Sequence, residues 1–217
     1  TEKKIHIAPP AGAPLHFLVA DDTGKAATIE FIEGKMVVHQ GAELTFPVLT
    51  NTPYKDAMKQ VSLDKDGRAV YRDNSVQRFA TACRMVQKYQ AGDVKEEPVD
   101  YASNILKSVS QKDYTKWSIV YDITNKQIHF IANGNNERKS LSLRNFDYSC
   151  NTPPVAFSLS DARGGDISKL FSPLDFEQNR KVIQQSSKEA ESEVPVSENS
   201  QNRAAAYFRL VSCREPN

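Results

Sequence analysis

The spacing of hydrophobic and polar positions changes along the chain. Between residues 15 and 50, short apolar runs alternate with polar positions and are separated by the turn sequences Asp21-Asp22-Thr23-Gly24 and Glu33-Gly34-Lys35. This pattern predicts an antiparallel meander of strands. The predicted strands cover 15–20, 26–33, 36–39 and 46–50. Pro47 falls early in the last run, as is typical of an edge strand or of a strand start.

After Pro53 the apolar spacing becomes that of helices, which we predict over 54–61, 101–109 and 177–191. The best-defined helix begins near Asn74, the predicted N-cap, with Gln77 three residues later in the spacing of a capping box. Its apolar stripe has spacings of three and four residues. The stripe consists of Val76, Phe79, Cys83 and Val86.

A second set of strands follows the helices. Residues 116–124 and 127–132 predict a hairpin that turns at Asn125-Lys126, and residues 138–146 predict a weaker strand. Strands, then helices, then strands again predict an α+β domain with antiparallel sheet. Residues 186–202 are rich in Ser, Glu and Asn, which indicates a polar, mobile segment, and 203–217 form a C-terminal tail.

Composition excludes several classes of function. Lys and Arg number 28 against 27 Asp and Glu, so a net charge of +1 gives no reason to expect nucleic acid or an anionic membrane as partner. No apolar run is long enough to cross a bilayer. The first residues lack the pattern of a signal peptide, but a mature secreted chain would lack it too, so the sequence leaves the compartment open.

The three cysteines, Cys83, Cys150 and Cys213, are far apart and include no CxxC pair. They form no zinc framework, and neither the cysteines nor the four histidines show metal-ligand spacing. The cysteines are either three ordinary thiols or one thiol and one disulfide in an oxidising compartment.

Two polar residues stand where chemistry is possible. Asn51 precedes Thr52-Pro53, where proline favours extended geometry in the residue before it. Asn51 is therefore either a turn-capping residue or a functional one, a hydrogen-bond donor to an oxyanion or a clamp on the substrate. Arg78 lies in the first turn of its predicted helix, where a cation gains nothing from the helix dipole. From the residues alone it is an exposed arginine whose aliphatic stem packs on its neighbours.

Short motifs, in order, carry a family resemblance. The meander ends in Leu49-Thr50-Asn51-Thr52-Pro53, and Arg78-Phe79 follows. Residues 114–128, Gly165–Ser168 and 171–173 add a tyrosine-containing hairpin and a later strand and loop. Over roughly residues 5–185 the chain resembles the choloylglycine hydrolase family, the linear amide C–N hydrolases that include penicillin V acylases and conjugated bile salt hydrolases. Gln77 stands where the family usually has serine.

The resemblance implies an N-terminal nucleophile hydrolase fold, an αββα sandwich with antiparallel sheets between helical layers, here without its N-terminal strands. Residues 1–185 would then be the C-terminal portion of one such domain. The family motifs imply that Asn51 helps to bind the tetrahedral oxyanion and that Arg78 lies against the catalytic cysteine. They imply no metal or organic cofactor.

The family nucleophile is a cysteine at a processed N-terminus, and none of the three cysteines lies near the start of this chain. Thr1 is a weak substitute, because charged residues follow it. The resemblance therefore implies a partner polypeptide of the same enzyme that carries the N-terminal cysteine, in a homo-oligomer. The substrate would be a small amide such as penicillin V, a conjugated bile salt or an N-acyl homoserine lactone. The alternative is a non-catalytic binding module that retains the fold.

Overall fold

A computed structural model of the protein describes residues 15–61, 71–112, 114–189 and 195–210. Thr1 and Cys213, which enter the arguments above, lie outside the described residues. The chain divides into two compact units, Thr1–Asn125 and Lys126–Asn217. The described residues combine helices with mainly antiparallel sheets, which confirms the predicted α+β class.

The first unit opens with the predicted meander. Strands β1 (Phe17–Ala20), β2 (Ala26–Ile32) and β3 (Lys35–Gln40) pair antiparallel in the order β1-β2-β3. Glu33 and Gly34 both have positive φ, at 50° and 76°, as a two-residue hairpin turn of the primed type requires. Local turn chemistry thus fixes the register that the sequence pattern indicated.

The described part of the first unit also contains α1 (Tyr54–Gln60), α2 (Asn74–Gln90), α3 (Pro98–Ser108) and β4 (Trp117–Asp122). The predicted stripe on α2 is buried at Val76, Phe79 and Cys83. Around it lies a hydrophobic core built from α1, α2 and the segment before α1. This core consists of Phe46, Val48, Tyr54, Ala57, Phe79, Ala82 and Cys83.

The strand predicted at 46–50 is wrong. These residues lie in no strand, although Phe46 and Val48 are buried in the core at alternate positions. That alternation has the period of a strand, but the backbone pairs with no sheet, and Pro47 between the two core residues has no N–H to donate. Val48 N instead donates to the carbonyl oxygen of Phe46, at 2.8 Å, in a tight local turn.

The predicted N-cap of α2 is wrong by one residue. Asp73, not Asn74, caps the helix, because its Oδ1 accepts from Ser75 N at 2.7 Å and Val76 N at 3.4 Å. Gln77 does reach back towards the helix start, as in a capping box, but its Oε1 accepts from Tyr71 N at 2.8 Å. Asp and Asn are almost equally good caps, so the sequence offered no means to choose between neighbours.

The second unit contains β5 (Gln127–Ala132), β6 (Asn135–Ser142), β7 (Val155–Ala156), β8 (Gly165–Asp166), β9 (Ser172–Pro173), α4 (Phe176–Glu189) and α5 (Glu198–Leu210). Strand β6 pairs antiparallel with β5 and parallel with β8, and β7 pairs antiparallel with β9. The weak strand predicted at 138–146 corresponds to β6. A short 3-10 helix at Leu143–Asn145 follows this strand. The parallel pairing was not predicted.

The segment boundaries predicted after residues 185 and 202 fall within helices α4 and α5. The described residues of the supposedly mobile segment 186–202 include the end of α4 and the start of α5. Helix α5 is anchored on α4, since Ala205 is buried and its carbonyl oxygen accepts from Asn179 Nδ2 at 2.9 Å. Residues 190–194 lie outside the described residues, so the mobility of segment 186–202 stays a prediction. The assignment of residues 1–185 to one domain stays a prediction.

Other structural facts bear on function. Cys83 is a free, buried thiol, whereas Cys150 is disulfide-bonded, so the alternative with a disulfide is the one observed. No group of His, Cys, Asp and Glu within the described residues has the arrangement of a metal site. None of the helices described is long and apolar enough to span a bilayer.

Candidate active site around Asn51 and Arg78

The loop that carries Asn51 is held against the first turn of α2 by Ser75. Thr52 donates to Ser75 Oγ from both its backbone N and its Oγ1, each at 2.8 Å. Ser75 Oγ in turn donates to Thr50 Oγ1 at 3.0 Å, and Thr50 Oγ1 donates to the carbonyl oxygen of Ser75 at 3.1 Å. Both neighbours of Asn51 are therefore fixed to one serine.

The side chain of Asn51 is oriented by Arg78. Asn51 Oδ1 accepts from Arg78 Nη2 at 3.3 Å, and Arg78 Nε donates to Asn74 Oδ1 at 2.8 Å. A guanidinium group can only donate, so the amide atom that faces it must be the oxygen. The Nδ2 group of Asn51, on the other branch of the amide, then remains as a donor on an exposed residue.

The structure thus brings together the two site residues predicted from the sequence, Asn51 and Arg78, although 27 positions separate them. Helix α2 makes this possible, because Asn74 and Arg78 are four residues apart and lie on the same side of the helix. Arg78 spans from its own helix to the loop and is half-buried.

A buried carboxylate holds the far end of the loop. Glu30 on β2 is only 2% exposed, and its two oxygens accept from Tyr54 N at 3.1 and 3.2 Å. Tyr54 follows Pro53 and is the first residue of α1, so Glu30 ties the end of the loop to the sheet. Glu30 was not among the site residues predicted from the sequence, because it occupies one position of an alternating strand pattern. The signal was a carboxylate on the same strand face as Thr28 and Ile32.

Two histidines lie beside the Glu30 carboxylate. Nδ1 of His16 is 3.4 Å from Glu30 Oε1, and Nδ1 of His39 is 3.7 Å from Glu30 Oε2. His39 also shares a 3.1 Å hydrogen bond with the buried hydroxyl of Thr28 and packs on the Tyr54 ring, with centroids 5.0 Å apart. A buried acidic group needs such polar neighbours.

The described cysteines do not supply a nucleophile here. Cys83 lies on α2 but is fully buried, and burial raises the pKa of its thiol to about 12. Only the thiolate is a strong nucleophile, so Cys83 is inert at neutral pH. Cys150 is disulfide-bonded and belongs to the other compact unit.

The N-terminal part of this chain matches a known protein family. Residues 2–65 match the model of the linear amide C–N hydrolases, choloylglycine hydrolase family. The predicted family resemblance is confirmed. The matched segment covers the meander, Glu30 and Asn51, and it ends before Arg78. No curated protein sequence gives a significant match.

The chain is also similar to solved structures. Penicillin V acylase from Agrobacterium tumefaciens superimposes with a TM-score of 0.53 at 19% identity, over 74% of this chain and 56% of that one. A variant of conjugated bile acid hydrolase from Clostridium perfringens gives a TM-score of 0.48 at 16% identity, over 61% and 51% of the two chains. This chain spans about half the length of these structures. The similarity to the acylase confirms the predicted fold type.

Within this fold, the geometry around Asn51 suits the stabilisation of a negative oxygen. An amide donor whose orientation is fixed in advance, with a guanidinium beside it, is the arrangement that lowers the energy of an oxyanion. The loop is held by Ser75 at one end and by Glu30 at the other, so the donor is fixed before a ligand arrives.

Proposed function

We propose that this chain forms the oxyanion-stabilising part of a linear amide C–N hydrolase. The observation that carries the proposal is the contact between Asn51 Oδ1 and Arg78 Nη2, which leaves the Asn51 amide as a pre-oriented donor. The family match over residues 2–65 supports the same kind of reaction.

In the proposed reaction, a cysteine thiolate attacks the carbonyl carbon of the amide, and the carbonyl oxygen becomes an oxyanion. Asn51 Nδ2 donates to this oxyanion, and one such donor contributes about 3–4 kcal/mol of transition-state stabilisation. The C–N bond then breaks, the amine leaves with a proton, and water hydrolyses the thioester. The positive charge of Arg78 favours the thiolate form of the nucleophile.

The nucleophile is proposed to come from a polypeptide of the same enzyme that begins with cysteine, because Cys83 and Cys150 are both unsuited to the role. The proposed substrates are linear amides of bulky acyl groups, such as penicillin V, conjugated bile salts or N-acyl homoserine lactones. No metal or cofactor takes part in this reaction, and we propose a homo-oligomer as the assembled enzyme.

The first test is intact mass and N-terminal sequencing of the purified material, followed by hydrolysis assays on one amide of each substrate type. A co-purifying polypeptide that begins with cysteine, together with release of the amine product, would support the proposal. An isolated chain that binds one of these amides without hydrolysing it would instead favour the non-catalytic module.

The decisive variants for the donor are N51D and N51A. N51D keeps an oxygen for Arg78 but removes the Nδ2 donor, so kcat should fall about 10²–10³-fold, as for N51A, while the fold is retained. The control is N199A, which removes an exposed asparagine on α5. Full activity in N51D would refute the oxyanion role of Asn51.

A further inference from the structure

We propose that Ser75 is a positioning residue that sets the location of the Asn51 donor through the backbone of the loop. This inference rests on the proposed function, since it concerns the same site. Ser75 was not among the residues predicted to act, although it lies between Asp73, which caps α2, and Arg78.

Every hydrogen-bonding position of the Ser75 hydroxyl is used by a neighbouring threonine. Two donors of Thr52 point at Ser75 Oγ, the Ser75 hydroxyl points at Thr50 Oγ1, and the Thr50 hydroxyl points at the Ser75 carbonyl. The Ser75 hydroxyl therefore uses its single proton and both its acceptor positions within the protein. It has none left for a substrate, and with 9% of its surface exposed it acts only through its neighbours.

Ser75 and Arg78 divide the task of holding Asn51. Ser75 holds the backbone N–H of Thr52 and the side-chain hydroxyl of Thr50, on either side of Asn51, whereas Arg78 fixes the direction of the Asn51 amide. The contact with Arg78 is 3.3 Å long and solvent-accessible, so by itself it is a weak constraint. Without the Ser75 hydroxyl, Thr52 N would lose its acceptor and the loop could shift relative to Arg78.

A small displacement of this kind matters for the rate. A shift of about 1 Å in a group that contacts the transition state can cost about 10²-fold in rate. The S75A variant should therefore lower kcat about 10- to 100-fold and leave KM within about twofold, because the loss affects the oxyanion more than the bound amide.

A second pair of variants tests the network without altering Ser75. T50V has nearly the shape of threonine but removes the hydroxyl that Ser75 contacts, whereas T50S retains it. We expect T50V to lose activity in the same direction as S75A, and T50S to resemble the unchanged protein. This comparison remains informative if S75A fails to fold.

The double variant N51A/S75A separates positioning from a general structural effect. If Ser75 acts through Asn51, the double variant should be no slower than N51A alone, because the donor is already absent. Losses in kcat that multiply would overturn the proposal.

A readout that needs no activity is the side-chain amide signal of Asn51 in a ¹H–¹⁵N NMR spectrum of the full chain, assigned by its disappearance in N51D. S75A and T50V should shift or broaden this signal, and T50S should leave it in place. An unchanged signal in both S75A and T50V would overturn the proposal. A changed signal in a chain that shows no hydrolysis with its partner would retain the positioning role and reject the proposed function.

Discussion

The carboxylate of Glu30 accepts the backbone N–H of Tyr54 through both its oxygens, at 3.1 and 3.2 Å, although 24 positions separate the two residues. This contact joins strand β2 to the start of α1 and thereby fixes the exit of the loop that carries Asn51. Both residues are buried, so water cannot replace the acceptor when the carboxylate is removed.

We therefore expect E30A to lower the free energy of unfolding by about 2–4 kcal/mol, since it leaves a buried N–H without an acceptor and a cavity in the core. E30Q keeps one oxygen acceptor and should lose less. Urea unfolding followed by circular dichroism measures both changes. E33Q, at an exposed turn residue, is the control. If E30A were as stable as E33Q, the contact with Tyr54 would carry no stability.

The stability of variants at the start of α2 tests whether Asp73, as in the structure, or Asn74, as predicted from the sequence, caps the helix. Because Asp73 accepts from Ser75 N and Val76 N, D73A should lower the free energy of unfolding by about 1 kcal/mol, and D73N should retain most of the stability. N74A leaves the cap intact and should cost less than D73A. Thermal or urea unfolding of the three variants decides the matter, and the reverse order would restore Asn74 as the cap.

Arg78 should matter for activity more than for stability. R78K cannot donate to Asn74 and Asn51 in the same fixed geometry, because an ammonium lacks the planar fork of guanidinium. We expect kcat of the assembled enzyme to fall roughly 10- to 100-fold, since the Asn51 donor loses its orientation. The free energy of unfolding should change by less than about 0.5 kcal/mol, as for other solvent-accessible contacts. A large loss of stability with unchanged kcat would make Arg78 a structural residue.

Cys83 gives a prediction about pH. Burial raises the pKa of its thiol from 9.0 to about 12, so the folded protein favours the neutral form. This contribution to stability is fully present below pH 9 and is lost as the pH rises towards 12, because the unfolded chain ionises first. The free energy of unfolding should fall between pH 9 and 11 more steeply than in C83A. In the native protein at pH 8, Cys83 should resist thiol reagents until urea is added, and rapid labelling would contradict its burial.

The sequence predicted the parts of the site that depend on local chemistry. The two turns of the meander and the apolar stripe of α2 are short-range patterns, and the structure has both. Asn51 and Arg78 were identified as candidates from short motifs, and the structure places them in contact. Their roles in catalysis stay predictions until the variants are measured.

The features that the sequence did not predict depend on tertiary contacts. Residues 46–50 have strand periodicity only because Phe46 and Val48 enter the core at alternate positions. Helix α5 contacts α4 through Ala205 and Asn179, although residues 198–202 at its start are polar. Glu30 and Ser75 hold the loop through hydrogen bonds to partners 24 and 23 positions away in sequence. Contacts over such distances leave no local sequence pattern.

Ser75 and Arg78 are three residues apart on a helix, so they are about 300° apart around its axis and about 4.5 Å apart along it. One residue inserted between them would rotate Arg78 by a further 100° or so and carry its guanidinium away from Asn51. The number of residues in this interval therefore decides whether Arg78 can reach Asn51 while Ser75 holds Thr52.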